Sequence, residues 1–427
     1  MHPHPFFARG VNGSMSNGDG AGAAPRGKIG LALAGGVLEG GFYEIGVLCA
    51  LEDAVEGLDF TRADVYVGVS SGAVLTSLLA NGVGPRALSR AILSRADEEL
   101  LNLDPNLLFT PAVREYVRRV AAAPRLVGRW IRRRIERPLE LSLAGWLVEL
   151  AALTPVGVFD SAPIERYLAR VFSTRGRTND FRKLRAELRV VAVKLDSSEL
   201  VTFGAAGHDH VPISRAVQAS ISLPGLYCPV EIGGEHYIDG VARRTLNASV
   251  ALDEGADLLF CVNPIVPVDV NGHGKNGSGR APRHLVDYGL PAVLSQTFRT
   301  AIHSRMGTGF RSYRHTYPDA DVILVEPDLA DHRMFFSNIF SSANRREVCE
   351  HAYARTLAHL RERREEIGEK LAKRGMRLRP EVLDDGHRVL FEEDAPGPRT
   401  VRGVAGEIRG VLDRLGAVLD RIDGSAA

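Results

Sequence analysis

Scarcity is the first thing the 427-residue sequence shows. Its four cysteines, Cys49, Cys228, Cys261 and Cys349, stand alone, with no Cys-x-x-Cys pair. That spacing speaks against a zinc site or redox motif, so neither metal nor cofactor is expected and a reducing compartment is the default. No apolar run reaches the roughly 18 residues that span a bilayer, and the start, Met1-His-Pro-His-Pro-Phe-Phe, has neither the charged nor the apolar region of a signal peptide. The expectation is a cytoplasmic protein whose membrane contact, where it has any, is local and peripheral. Net charge is scarce too: +1 overall argues against bulk attraction to nucleic acid. What is present is ordinary, 45% hydrophobic and 25% charged residues, in a chain long enough for one large domain with an appendage.

The most informative stretch is Val67-Gly68-Val69-Ser70-Ser71-Gly72-Ala73, a Gly-x-Ser-x-Gly. Ala63 to Val67 reads as a short strand, and Ser71 to Asn81 as a helix with Val74, Leu75, Leu78 and Leu79 on one face. A serine between strand and helix is held in a cramped backbone conformation with its hydroxyl clear of the sheet, and Gly68 and Gly72 lack the side chains that would clash there. The positive end of the helix favours negative charge developing beside Ser70. The pattern predicts a hydrolase; the plain alternative is a chance match.

Upstream, Lys28 to Ala34 reads as a buried strand running into Gly35-Gly-Val-Leu-Glu-Gly-Gly41, followed by a helix from about Gly41 to Ala54. A glycine-rich turn before a helix leaves backbone N–H groups aimed at one spot. The spacing of Gly35, Gly36 and Gly40 suits a dinucleotide loop poorly and suits an oxyanion hole better, with Gly35, Gly36 and Val37 as donors close to Ser70. A glycine turn kept for close packing is the competing account.

Residues 1–27, rich in Gly, Asn, Ser and Ala, read as a disordered tail. A helical insertion is expected over 97–155. Within it, 114–137 holds nine arginines and two glutamates among apolar residues at helical spacing, with Pro124 dividing it into two short helices. Such a basic amphipathic segment either lies on an anionic membrane, each cation contributing about 1 kcal/mol, or covers the outside of an ordinary insertion. Asp160 reads as a helix N-cap. Further strands are expected at 188–195, 200–203, 228–232, 236–240, 256–262 and 320–326, and helices at 213–220, 285–306 and 343–374. Residues 268–284 read as a flexible linker and 285–427 as a mostly helical extension. Its last stretch, 401–422, has an apolar seam suited to docking or self-association, weakened by four internal glycines.

A serine hydroxyl needs a base. His208, His236, His303, His332 and His351 are formal candidates, but none has a context that singles it out. Asp239, at the end of a predicted strand and followed by Gly240, is the better base, provided burial raises its basicity.

Taken in order, Gly35-Gly36 through Gly40, Gly68-Val-Ser70-Ser-Gly72 and Asp239-Gly240 resemble the three blocks of bacterial-type patatin-like phospholipases. Tyr43-Glu-Ile-Gly-Val-Leu48, Phe159-Asp160 and Ala219-Ser220 with Pro224-Gly-Leu-Tyr-Cys-Pro229 are similar as well. The resemblance, over roughly 28–267, implies an α/β three-layer sandwich with a central mostly parallel sheet, here carrying the helical insertion and the C-terminal helical extension. It also implies hydrolysis of lipid acyl esters by a Ser70–Asp239 dyad through an acyl-enzyme, as a phospholipase A or lysophospholipase. An inactive lipid-binding scaffold and an acyltransferase are the alternatives. Three positions depart from the pattern: Val37 replaces a usual glycine, Glu39 a common basic residue, and Val241 a usual small one.

Overall fold

The structure, a computed structural model, describes residues 27–92, 101, 105–136, 153–269, 284–328 and 342–391. The expected tail up to residue 26, most of the linker and the 401–422 seam lie outside them. Twelve strands are present among the described residues: β1 (Ile29–Leu33), β2 (Val55–Glu56), β3 (Val65–Val69), β4 (Gly157–Phe159), β5 (Glu187–Lys194), β6 (Leu200–Phe203), β7 (Gly225–Tyr227), β8 (Val230–Ile232), β9 (Glu235–Asp239), β10 (Leu258–Val262), β11 (Asp321–Val325) and β12 (Arg377–Leu378). The helices are α1 (Val37–Ala54), α2 (Ser71–Ala80), α3 (Pro85–Ile92), α4 (Val113–Glu136), α5 (Ala162–Phe172), α6 (Ile213–Ser220), α7 (Ala248–Asp253), α8 (Gly289–Thr316), α9 (Ser342–Glu362), α10 (Arg364–Ala372) and α11 (Pro380–Leu383).

Eight strands form the central sheet in the order β11-β10-β1-β3-β5-β9-β8, with β6 also on β5. The first five in that order run parallel, and β6, β9 and β8 are antiparallel to their neighbours. β1, β3 and β10 are buried along their whole length, which is why they read as unbroken apolar runs. Alternation sends Leu31 and Leu33 into the larger core, with α1, α2, α5, α6 and α9, and Ala32 and Ala34 into the smaller one, under α7 and α8. The result is the three-layer α/β sandwich. β11, from beyond the linker, completes the sheet edge beside β10, and β12 pairs with β2. α9 crosses α1 where Gly46 has no side chain, since a Cβ there would lie 2.2 Å from the Cys349 carbonyl oxygen.

Three expectations are corrected. α4 is one helix running through Pro124, not two. A proline removes one N–H and crowds the carbonyl four residues back, at about 3 kcal/mol, which a long helix can absorb by bending. Glu115 ties α4 to the segment ahead of β4, bonding Arg119 at 2.7 Å and the Val156 N–H at 3.3 Å. The glycine turn is also shorter than expected, because α1 already starts at Val37 and takes in Gly40 and Gly41. The long charged helix expected over 343–374 is broken at Arg363 into α9 and α10.

α1 carries one residue at odds with its surroundings. Glu44 is fully buried, and neither carboxyl oxygen has a hydrogen-bond partner among the described residues. Burial therefore pushes its pKa well above the ordinary value of 4.5. A raised folded-state pKa gives stability that is complete below about 4.5 and declines as pH rises toward the folded value. Glu44→Gln, which cannot ionise, is expected to gain stability over the wild type as pH climbs from that point, by up to about 1.4 kcal/mol per pH unit. Urea denaturation across pH 5 to 8, a range of about three units, reads the difference.

Candidate active site

The site is assembled where β1, β3 and β9 end. Ser70 follows β3 with φ 53° and ψ −122°, and among the described non-glycine residues only Ser198 shares a positive φ. It is the N-cap of α2, whose Ala73 and Val74 N–H groups bond back to its carbonyl. Two glycines allow the sharp turn. A Cβ on Gly68 would meet Thr76 Oγ1 at 2.2 Å, and one on Gly72 would meet the Leu33 carbonyl oxygen at 2.5 Å. The turn is pinned from the far side of the sheet edge: the Ser70 N–H donates to Ser220 Oγ at 2.9 Å, and that hydroxyl donates to the Val191 carbonyl at 2.7 Å.

Asp239 is brought close by register. Val69 pairs with Val191 and Ala192 with Asp239, so Ser70, one residue on, stands in the row of Ala192 and Asp239. Val190 and Val191 pair with β3 on one side and β6 on the other, while Ala192 and Val193 pair with β6 and β9, so β9 takes over the side of β5 that β3 leaves at Ser70. The strand end that carries Asp239 thus abuts the turn that carries Ser70, and the Ser70 hydroxyl lies within hydrogen-bonding influence of the Asp239 carboxyl. The contact is looser than an aligned hydrogen bond, since Oδ2 is buried with no close partner while Oδ1 accepts the Val241 N–H at 2.9 Å. Apo geometries of this kind tighten when substrate binds. Burial raises the Asp239 pKa to about 7, opposed by Ser70 and by the Val241 N–H. Gly240 lets the chain leave under Val69 and Val191, its absent Cβ being 2.7 Å from the Val191 carbonyl oxygen.

The glycine turn lies against both. A side chain on Gly35 would strike Val241 and Ser70, and its N–H donates to the Thr245 carbonyl at 3.2 Å. The Gly36 N–H donates to Ser71 Oγ at 3.0 Å. Val37 is the first residue of α1, where a helix leaves N–H groups without intrahelical acceptors. Gly36 and Gly40 both abut the Pro264 ring. Of the five candidate histidines, His208 packs edge-on to Phe203, His236 faces Asp196 across 4.0 Å, His303 is on α8 and His351 on α9, while His332 lies outside the described residues. The N-cap of α5 is Ser161 and not Asp160 as expected, although Asp160, one residue earlier, accepts the Ala162 N–H at 2.8 Å.

The roles of two residues in this region escaped the sequence reading. Ser220 enters the sequence reading only within the Ala219-Ser220 pair that resembles the family, with no signal for its bond to the Ser70 N–H. Arg299, on α8, is half-buried, donates to the Val266 carbonyl at 3.2 Å and faces the Glu39 carboxylate. Among the described residues, no group of three or more His, Cys, Asp or Glu could hold a metal ion.

A mostly parallel sheet with a serine on a strained strand-to-helix turn defines the class, that of α/β proteins with a nucleophile elbow. Within it, the chain belongs to the patatin-like phospholipase family, whose model matches residues 31–252. Membership implies hydrolysis of lipid esters. Similar solved structures include VipD from Legionella pneumophila, with 14% identity and a TM-score of 0.36 over 79% of this chain and 67% of that one. The type III effector protein ExoU has 17% identity and a TM-score of 0.33, over 80% of this chain and 54% of that one.

Ser220→Ala tests the pin beneath the turn. It leaves the Ser70 N–H and the Val191 carbonyl buried without partners, each at about 1–3 kcal/mol. Thermal denaturation is expected to show a lower Tm, and ester turnover a lower kcat with KM little changed.

Proposed function

We propose that the protein is a serine acyl hydrolase that cleaves (phospho)lipid esters, of phospholipase A or lysophospholipase type, with Ser70 as nucleophile and Asp239 as base. The observation that carries this reading is a strained, sheet-end serine beside a fully buried carboxyl whose pKa is raised to about 7. A base with that pKa is half-ionised at neutral pH and can both take and return a proton. In the first step the Asp239 carboxylate accepts the Ser70 proton as Oγ attacks the ester carbonyl. The oxyanion is received at the start of α1 by the N–H groups of Gly36 and Val37, that of Gly36 released from Ser71 Oγ as the carbonyl oxygen arrives. Gly35 serves by its lack of a side chain, which lets the turn close on Ser70. Asp239 then returns the proton to the leaving alcohol, and water activated by the same carboxylate cleaves the acyl-serine.

Peripheral contact with anionic membrane through 114–137 belongs to the same proposal. Val113, Val117 and Val120 are all exposed on α4 among its arginines, an arrangement suited to a lipid surface. No helix among the described residues is long and apolar enough to cross a membrane.

Ser70→Ala and Asp239→Asn are each expected to abolish hydrolysis across a lipid panel while the protein stays folded. A fluorophosphonate should label the wild type at Ser70, whereas an unlabelled serine would mean an inactive scaffold. Because the base works ionised, kcat/KM of the wild type should rise with pH through a midpoint near 7. A flat profile between pH 5 and 9, about four units, would remove Asp239 from this role.

A further inference from the structure

The first half of α8 is built the wrong way round for a helix on a water-soluble surface. Two of its polar residues face the protein: Gln296 bonds both the N–H and the carbonyl of Val268, at 3.1 and 2.7 Å, and Arg299 donates to the Val266 carbonyl. Its apolar residues face outward. Leu290, Leu294 and Phe298 follow one another at four-residue spacing, with Val293 beside them and Val286 just ahead of the helix, and Leu290 and Phe298 are 68% and 66% exposed. A helix repeats its face at that spacing, so these residues form one continuous strip, not scattered surface hydrophobes.

We propose that this strip is the protein's docking surface for a lipid layer, the aggregate in which the ester substrate is presented. The inference rests on the lipid-hydrolase reading above and says where that substrate is met. Charge favours a lipid occupant, since α8 contains no Asp or Glu that would repel anionic headgroups and Arg305 is exposed on it. Position favours it as well. The inward side of the same helix turn holds Val266 and Val268, which follow Pro264, and the Pro264 ring abuts Gly36 and Gly40 of the glycine turn. Arg299 completes the link by facing Glu39 on α1. A lipid layer against the strip therefore lies one helix thickness from the turn that packs on Ser70.

The test compares wild type with Leu290→Asp/Phe298→Asp and with the uncharged pair Leu290→Ser/Phe298→Ser. The probes are vesicles of pure phosphatidylcholine, vesicles of equal parts phosphatidylcholine and phosphatidylglycerol, and a water-soluble short-chain ester. Both double variants are expected to keep the wild-type Tm and soluble-ester turnover, and to partition at least about tenfold more weakly onto both kinds of vesicle. The deficit should persist at high salt, which separates it from an electrostatic contribution by 114–137. Unchanged partitioning of the variants, or a wild type that does not bind vesicles, overturns the proposal. So does a wild-type dimer in sedimentation that the substitutions split, because the strip would then be a subunit contact. Strip-dependent binding by a wild type that hydrolyses no ester would uphold the docking surface while the hydrolase reading failed.

Discussion

The backbone of Ser70 is the constraint on which the rest of the structure depends. A non-glycine residue at φ 53° and ψ −122° costs on the order of 1–3 kcal/mol and persists only when its neighbours leave it no alternative. They do so from three directions. β3 is buried along its length and paired on both sides, so the chain cannot retreat along the strand. α2 is locked by Gly72 against the carbonyls of Leu33 and Ala34, with Thr76 Oγ1 bonding the Gly72 carbonyl at 2.8 Å. From the far edge, Ser220 converts the Ser70 N–H, which the turn would otherwise orphan, into part of a chain ending on Val191.

Burial alone does not make a carboxyl useful, and the molecule contains the comparison. Glu44 and Asp239 are both buried and both have raised pKa values from desolvation. Among the described residues Glu44 has no hydrogen-bond partner, so desolvation favours its neutral form unopposed. Asp239 has a backbone N–H on one oxygen and the Ser70 hydroxyl close to its carboxyl, and these bring its pKa back down to about 7. The balance of one penalty and two donors turns a buried acid into a group that can exchange protons at neutral pH.

Much of this was legible in the sequence where the signal is local. The buried strands are unbroken apolar runs, α6 follows from Ile213 to Ser220 as read, and the hairpin that ends at Asp239 is marked by Gly233-Gly234. What could not be read depends on meetings across long separations. Ser220 and Ser70 are 150 positions apart, and the Ala219-Ser220 pair, though it resembles the family, says nothing of which N–H its hydroxyl meets. The pairing of β12 with β2 joins two-residue strands too short to leave a pattern. Pro124 was legible but misleading, because a breaker rule weighs one lost hydrogen bond without the rest of a 24-residue helix and its Glu115 tether.

The departures from the family pattern acquire physical meaning once α1 is seen to begin at Val37. A valine in place of glycine would be strained only at positive φ, and Val37 instead takes the first helical position, where a β-branched residue loses a few tenths of a kcal/mol of propensity. The proposed oxyanion contact would use its N–H, which is independent of the side chain. Glu39 falls in the first turn of the same helix, where the backbone dipole favours a carboxylate. That negative charge would still oppose an oxyanion forming nearby, but Arg299 stands against it from α8, half-buried and with its guanidinium on the Val266 carbonyl. The positive charge absent at position 39 thus re-enters from a helix far along the chain, and the electrostatics of the turn become a joint property of the N-terminal half and of the segment that completes the sheet.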